Sequence, residues 1–143
     1  MGLKSDGTVV ATGDNYYGQC NIGGWTDITQ VAAGADHTVG VRSDGTAVAT
    51  GDNSEGQCNV NGWKNISQVD AGMWHTAGLK SDGTVLAVGC SSHDQRDHGQ
   101  LNVGGWTNII QVATGGLHTV GLKPDGTVVA TGANSDGQCD VSG

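Results

Sequence analysis

Short segments of apolar, small and β-branched residues recur along the whole chain at a nearly fixed spacing. One group of three such segments covers residues 28–33, 37–42 and 46–50, and Gly, Asp and Ser separate the segments. Segments of this length and composition, bounded by turn residues, are typical of β-strands. No segment has apolar residues at helical spacing over a useful length. The pattern therefore predicts an all-β chain with three strands in each recurring unit.

The turns between these strands have a sequence signature of their own. Ser-Asp-Gly-Thr begins at residues 5, 43 and 81, and Pro-Asp-Gly-Thr takes its place at residue 124. Asp-Gly between two strands is a strong hairpin signal, and we predict a type I′ turn, in which both central residues have positive φ. After the third strand the chain turns again, and residues 57–60 are predicted to form a short outer strand.

Further motifs keep the same register and define an internal repeat. The extra residues of the third unit all fall between Gly89 and Gly99, which indicates an insertion in one loop. Three or four strands in every ~40 residues are typical of a β-propeller. A β-solenoid is the main alternative, although its coils are shorter and lack a hairpin signal in every copy. The recurring motifs are Gly-Gln-Cys at 18–20, 56–58 and 137–139, Gly-Gln-Leu at 99–101, Gly-Trp at 24, 62 and 105, and His-Thr at 37, 75 and 118.

One longer pattern allows a comparison with a known family. It reads Gly-x-x-His-Thr-x-Gly-Leu-Lys-Ser-Asp-Gly-Thr-Val-x-Ala-x-Gly-x-Asn-x-x-Gly-Gln and stands most clearly in residues 72–89 and 115–138. It resembles the repeat of the regulator of chromosome condensation (RCC1-like) family over essentially the whole chain. The resemblance implies a propeller, typically of seven blades, with a repeat style closest to the bacterial β-lactamase inhibitory protein of this fold. Family members act in nucleotide exchange, chromatin binding and ultraviolet sensing, but none of their functional residues carries over onto this sequence.

The number of repeats is small for a closed ring. Residues 21–58, 59–101 and 102–143 form three complete units, and residues 2–20 form a partial one, within a single segment over 1–143. Propellers have 4–8 blades, and an open half-ring leaves sheet edges that invite pairing. We therefore predict a homodimer that closes the ring around a two-fold axis, with eight blade positions as the favoured arrangement. The alternative is that the chain is a fragment of a longer protein.

Composition and charge narrow the functional classes. Glycine supplies 26 of the 143 residues, whereas it is roughly 7 % of an average protein. Glycine in the turns and in the converging inner strands of a propeller accounts for the excess. The formal net charge of −8 leaves no basic surplus for a nucleic-acid backbone. No apolar run approaches the ~20 residues that span a bilayer, and the first residues do not resemble a signal peptide, so we expect neither membrane insertion nor secretion.

The loops that differ between repeats lie on one rim of the predicted propeller, which we call the variable rim. It carries seven acidic residues and one basic residue, Arg96, and therefore a charge of −6. Aromatic side chains such as Tyr17 and Trp74 are the types that anchor protein interfaces. We predict that this rim binds or inhibits a partner protein that has a basic patch. The candidate partner-binding residues are Tyr16, Tyr17, Asp36, Glu55, Trp74, His93, Asp94, Arg96, Asp97, Leu117 and Asp136.

Other chemistry-bearing residues have structural interpretations. His37, His75 and His118 occupy one repeat position, which favours a hydrogen bond that joins each blade to its surroundings. Cys20, Cys58 and Cys139 are also equivalent, and Leu101 replaces the fourth copy, so we expect free thiols at packing positions and a reducing cytoplasm. Zinc binding by Cys90, His93 and His98 is an alternative for the insertion, although the spacing matches no standard site.

Catalysis is not indicated by the sequence. No nucleophile–base pair stands out from the repeat pattern, and no phosphate-binding glycine motif precedes a helix, so we expect neither an enzyme nor a cofactor. Two further hypotheses remain beside protein binding. One is a small-molecule or carbohydrate-binding propeller that uses pockets between blades or the central channel. The other is a structural repeat segment without a binding role of its own.

Overall fold

The computed structural model describes residues 1–90 and 96–141, and its regular structure there consists of antiparallel β-sheets in chain order. A two-stranded hairpin comes first and is called the partial blade, and three-stranded sheets follow as the first, second and third blades. In each three-stranded blade, the second of the three strands in sequence is also the central strand of the sheet. The strands are β1 (Gly2–Leu3) and β2 (Val9–Val10), then β3 (Ile28–Ala33), β4 (His37–Arg42) and β5 (Ala47–Gly51), then β6 (Ile66–Ala71), β7 (His75–Lys80) and β8 (Val85–Gly89), and finally β9 (Gln111–Thr114), β10 (His118–Leu122) and β11 (Val128–Gly132).

The all-β prediction is confirmed, but the predicted outer strand over residues 57–60 is wrong. This segment is a turn that the side chain of Asn53 holds together. Asn53 Oδ1 accepts the N–H of Cys58 at 2.8 Å, and Asn53 Nδ2 donates to Asn59 Oδ1 at 3.0 Å. A side chain thus makes the hydrogen bonds that a neighbouring strand would otherwise supply.

The Asp-Gly hairpins also differ from the type I′ prediction. Gly45 has a φ of 77°, but Asp44 does not have positive φ. The Gly45 N–H donates to the Arg42 carbonyl at 2.9 Å, and Asp44 Oδ1 accepts the backbone N–H of Thr46 at 2.9 Å. The loop is therefore a three-residue connection with glycine in the left-handed position, which is the second common solution for hairpins.

Neighbouring blades pack through apolar residues and one tryptophan at each junction. Val39 and Val41 of the first blade are 0 % and 2 % exposed and share a core with Val69 of the second. Trp63 lies in the connection between these blades, and a Cβ atom on Gly78 would come within 2.4 Å of its ring. Glycine is needed there because the indole lies directly on the strand. Trp63 therefore packs between the first and second blades.

Hydrogen bonds fix the register of adjacent inner strands. The Gln30 amide donates to the Val69 carbonyl at 2.9 Å and accepts the Val69 N–H at 2.8 Å, so it bridges β3 and β6. Gln68 makes the same pair of bonds with Val112, at 2.7 and 2.9 Å, and bridges β6 and β9. Each blade is therefore held to the next by side-chain bonds to the backbone as well as by packing.

The arrangement leaves two blade faces without a covering blade. In the third blade Val120, Leu122 and Val128 are partly exposed, although they are equivalent in register to Val39, Val41 and Ala47, which are buried. At the other end Val10 of the partial blade is 47 % exposed. The described chain forms four successive positions of an open ring.

Candidate functional site

The variable rim is formed as the strand order predicts. In each blade the turn between the first two strands lies beside the loop that follows the third strand. The N–H of Asp52 donates to the Asp36 carbonyl at 2.8 Å, and the N–H of Cys90 donates to the Trp74 carbonyl at 3.0 Å. The variable rim therefore includes the turns 34–36, 72–74 and 115–117 and the described parts of the loops 13–19, 52–57, 90–100 and 133–138.

On this rim one predicted site residue, Arg96, contacts two others. The Arg96 guanidinium carbon lies 4.8 Å from the centre of the Trp74 ring. One nitrogen of the same guanidinium lies 2.5 Å from Glu55 Oε1. The Glu55 side chain is 17 % exposed and the Arg96 side chain 45 %. This Glu55–Trp74–Arg96 cluster joins the loop after the first blade to the second blade and its insertion.

A second aromatic group stands on the loop of the partial blade. Tyr16 and Tyr17 pack edge to face with ring centres 4.8 Å apart. Tyr16 is 82 % exposed and Tyr17 49 %, which places both rings on the surface. The structure gives no contact between this pair and the Glu55–Trp74–Arg96 cluster, so the two groups are separate features of one rim.

Two acidic residues of the rim loops, Asp52 and Asp97, make local hydrogen bonds. Asp52 accepts the Gln57 amide at 2.8 Å and the backbone N–H of Ser54 at 3.0 Å. Burial by itself would raise the pKa of Asp52. The hydrogen bonds from Ser54 and Gln57 outweigh burial and hold that pKa below its ordinary value. Asp97 Oδ1 accepts the N–H of Gly99 at 2.9 Å. These carboxylates keep the loops in shape as well as charging the surface.

Three other predicted site residues lie on separate parts of the rim. Asp36 and Leu117 are partly exposed on the turns that precede β4 and β10, and Asp136 is exposed in the loop after β11. The Asp136 N–H donates to Gln138 Oε1 at 2.9 Å. The structure therefore places all three on the variable rim without joining them into one cluster.

The remaining predicted residues belong to the insertion. His93 and Asp94 lie outside the described residues. Within residues 1–90 and 96–141 no group of three His, Cys, Asp or Glu side chains could hold a metal ion. Cys90 is buried and its sulfur accepts the Gln100 amide at 2.8 Å, while His98 is exposed. The zinc alternative for Cys90, His93 and His98 thus involves a residue beyond the described part of the chain.

The repeated histidines join adjacent blades, as predicted. His37 Nε2 lies 2.9 Å from Thr76 Oγ1, and His75 Nε2 lies 3.0 Å from Thr119 Oγ1. Thr76 donates its own proton to the Gln57 carbonyl, so His37 is the donor toward it. Burial lowers the pKa of His37 and that of His75 to about 4, which keeps both rings neutral. These side chains are structural parts of the blade junctions.

The equivalent cysteines have free thiols and hydrogen-bond to their own loops. The sulfur atoms of Cys20, Cys58 and Cys139 donate to the carbonyls of Asp14, Asp52 and Ala133 at 3.4, 3.2 and 3.2 Å. Burial and the nearby Asp52 carboxylate raise the pKa of Cys58 to about 11. This thiol is therefore protonated and unreactive at neutral pH.

Sequence reasoning did not select Met73 or the depression beside it. Met73 is 40 % exposed and borders a cavity of about 320 Å³ near the ends of the inner strands. The pair Met73-Trp74, unique among the repeats, was the sequence signal that could have selected it. The other lining residues are small and uncharged, namely Ala33, Gly34, Ala35, Ala71, Gly72, Thr114, Gly115 and Gly116.

Comparison with protein families gives matches in all three complete units. The family model of the regulator of chromosome condensation (RCC1) repeat matches residues 28–57, 66–95 and 109–138. No curated protein sequence matches the chain significantly. Within residues 1–90 and 96–141 the structure has no helix of the length and apolar character that crossing a bilayer requires.

Several solved structures, among them yeast RCC1 (Prp20), are similar to this chain in fold. Prp20p from Saccharomyces cerevisiae is 20 % identical, with a TM-score of 0.62 over 76 % of this chain and 31 % of that one. Yeast RCC1 (Prp20) bound to Kap60 is 19 % identical, with a TM-score of 0.70 over 92 % and 41 %. Human WBSCR16 is 21 % identical, with a TM-score of 0.68 over 91 % and 44 %. The chain thus spans less than half of these proteins, and the likeness confirms the propeller fold.

Proposed function

Since the chain belongs to the regulator of chromosome condensation (RCC1) repeat family, we propose that it is a non-enzymatic protein-binding module that uses the variable rim. Propellers of this repeat are commonly protein-interaction modules, and yeast Prp20 binds Gsp1p, histones and Kap60. The observation that carries the proposal is the exposure of Tyr16 and Tyr17 beside each other on this rim. Exposed aromatic side chains of this kind are enriched among the residues that dominate interface energies.

The proposed partner is a protein with a basic patch, which the chain would recognise or inhibit. Carboxylates of the rim, such as Glu55 and Asp136, would attract this patch. The excess of acidic over basic residues in the rim loops supports the choice of a positively charged partner. A partner drawn by opposite charge associates more slowly as salt screens the attraction. A neutral small molecule or carbohydrate in the cavity beside Met73, which is the alternative function, would respond little to salt.

A double variant of the aromatic residues tests the rim. A binding protein is first isolated from the native host on the immobilised chain and purified, and its affinity is then measured by calorimetry. Tyr17→Ala combined with Trp74→Ala should weaken binding about 1,000-fold, since each anchor of this kind contributes about 2 kcal/mol or more. Ile110→Ala is the matched control, because Ile110 is a large exposed hydrophobic residue of the opposite rim, at 55 % exposure.

The proposal is wrong if the double variant binds as tightly as the unaltered chain. Binding that the control weakens equally would place the interface on the opposite rim. Loss in the double variant with the control unchanged, together with an association rate that falls with salt, would support the acidic, aromatic rim over the small-molecule alternative.

We also propose that a second copy of this chain closes the ring. The uncovered face of the third blade is apolar at Val120, Leu122 and Val128, and in the other blades the equivalent face packs against the following blade. Four positions from each of two copies give eight, which lies within the range of known propellers. A solution mass of one chain at micromolar concentration would contradict the homodimer.

A further inference from the structure

The Glu55–Trp74–Arg96 cluster shows how the variable rim holds a guanidinium group. The Arg96 guanidinium faces the Trp74 ring at 4.8 Å and meets the Glu55 carboxylate at 2.5 Å. An aromatic face attracts a cation through its quadrupole, and a carboxylate accepts its N–H groups. Trp74 and Glu55 together therefore form a site for a planar, positively charged donor, which we call the Trp74–Glu55 site.

The group that occupies this site comes from the least repeated part of the chain. Arg96 belongs to the insertion between Gly89 and Gly99, and the other repeats have no such residue. Its side chain is 45 % exposed, so water reaches the guanidinium and the contact can exchange. Glu55, in contrast, is 17 % exposed and held in its loop, where its N–H donates to Gln57 Oε1 at 2.9 Å. The site is more firmly built than its occupant.

We propose that the Trp74–Glu55 site binds an arginine side chain of the partner protein and that Arg96 occupies this site in the unbound chain. This inference rests on the proposed function of the variable rim and names the chemistry that the rim recognises. A partner arginine would displace Arg96 and take over both of its contacts. Arginine fits better than lysine, because the planar guanidinium stacks on the indole while it donates to the carboxylate.

Because Arg96 must be displaced, the partner needs more than one isolated arginine in order to bind. Arg96 is tethered beside the site, so its effective concentration is high and a single free arginine competes poorly. A partner that also contacts Tyr16, Tyr17 or the exposed Asp97 gains the additional binding energy to exchange the two side chains. Arg96 thus raises the threshold for binding and excludes partners that present only one isolated arginine.

The test uses the full chain and N-acetyl-arginine amide as the probe. The indole ¹⁵N–H signal of Trp74, assigned with Trp74→Phe, is followed during titration by nuclear magnetic resonance. Removing the internal competitor with Arg96→Ala should lower the dissociation constant about fivefold or more relative to the unaltered chain. Arg96→Gln serves as the second variant, which retains a polar side chain in the insertion. N-acetyl-lysine amide should bind the Arg96→Ala chain more weakly than the arginine probe does.

Two further results decide the inference. Glu55→Gln in the Arg96→Ala background should abolish the gain, because it removes the carboxylate from the site. If neither Arg96 variant binds the probe more tightly than the unaltered chain, Arg96 is only a brace for the insertion and the inference is overturned. That failure would leave the rim proposal standing, since the latter is judged by partner binding of the Tyr17→Ala and Trp74→Ala double variant.

Discussion

At the scale of single residues, the two buried histidines make stability depend on pH. His37 and His75 are 1 % and 0 % exposed, and burial lowers the pKa of each to about 4 in the folded chain. In the unfolded chain a histidine has a pKa of about 6.5, so between those values the unfolded state binds more protons. The free energy of unfolding should therefore be highest above about pH 6.5 and should fall as the pH drops toward 4. For each of the two histidines the loss is up to about 1.4 kcal/mol per pH unit.

Urea unfolding at pH 7 and pH 5 measures this effect. His75→Gln is the comparison variant, because its amide can still donate to Thr119 but does not titrate. Its loss of stability between the two pH values should be smaller than that of the unaltered chain. If the ring signals of His37 and His75 titrate above pH 6 in nuclear magnetic resonance spectra, the rings are charged in the folded state and the prediction is wrong.

The role of a residue could be predicted from the sequence only where the same residue type recurs at the same position of each repeat. His37 and His75 recur with the blades, and their hydrogen bonds to Thr76 and Thr119 confirm a structural role. The contacts of Arg96 with Trp74 and Glu55 do not recur in the other repeats, because Arg96 belongs to the insertion. Arg96 and Glu55 are 41 positions apart in the sequence, so their spacing gave no signal of the contact. The hairpin type was also beyond sequence reasoning, since the carboxylate of Asp44 bonds to Thr46 and thereby stabilises a different turn.

At the scale of strands, the glutamine bridges should contribute measurably to stability. Gln68 makes two hydrogen bonds to the backbone of Val112, and Gln68→Ala would leave that N–H and carbonyl without these partners. The free energy of unfolding should fall by about 1–3 kcal/mol in urea titrations. Gln111→Ala is the matched control, because Gln111 has the same register in β9 but its side chain is exposed and makes no hydrogen bond to the described residues.

Surface substitutions of that kind change stability by no more than about 0.5 kcal/mol. Equal losses for Gln68→Ala and Gln111→Ala would show that the glutamine position acts through strand propensity rather than through the bridge. The measurement belongs at a protein concentration at which both variants have the mass of one chain, so that association does not add to the apparent stability.

Strands and their order followed from the sequence, whereas the outer edge of each blade did not. Residues 28–33 and 37–42 form strands as predicted, and the third strand begins one residue later, at Ala47. These segments pack on both sides of a sheet, so their composition reflects burial. Residues 57–60 end in the apolar residue Val60, which is 1 % exposed because it packs into the junction between blades, not because it pairs with β5.

At the scale of the whole molecule, the open ring and the repeat determine how copies would associate. Each chain presents one uncovered face on the third blade and another on the partial blade, and the two faces differ. Contacts between unlike faces generate either a closed ring or a continuing helical filament. Two copies can close the ring only if the four blade positions of one chain cover half of it. This condition is met in a ring of eight blade positions.

Charge substitutions on the uncovered faces test this arrangement. The unaltered chain should have a solution mass of twice 14.4 kDa at micromolar concentration, measured by sedimentation equilibrium. Leu122→Asp would place a carboxylate on the face of the third blade, and the mass should fall to that of one chain because burying an unpaired charge is costly. Val10→Asp, on the partial blade, should have the same effect, whereas Ser67→Asp should leave the dimer intact because Ser67 is exposed on the second blade, away from both uncovered faces. A dimer that survives both face variants would show that these faces do not meet, and a monomeric unaltered chain would exclude the closed ring.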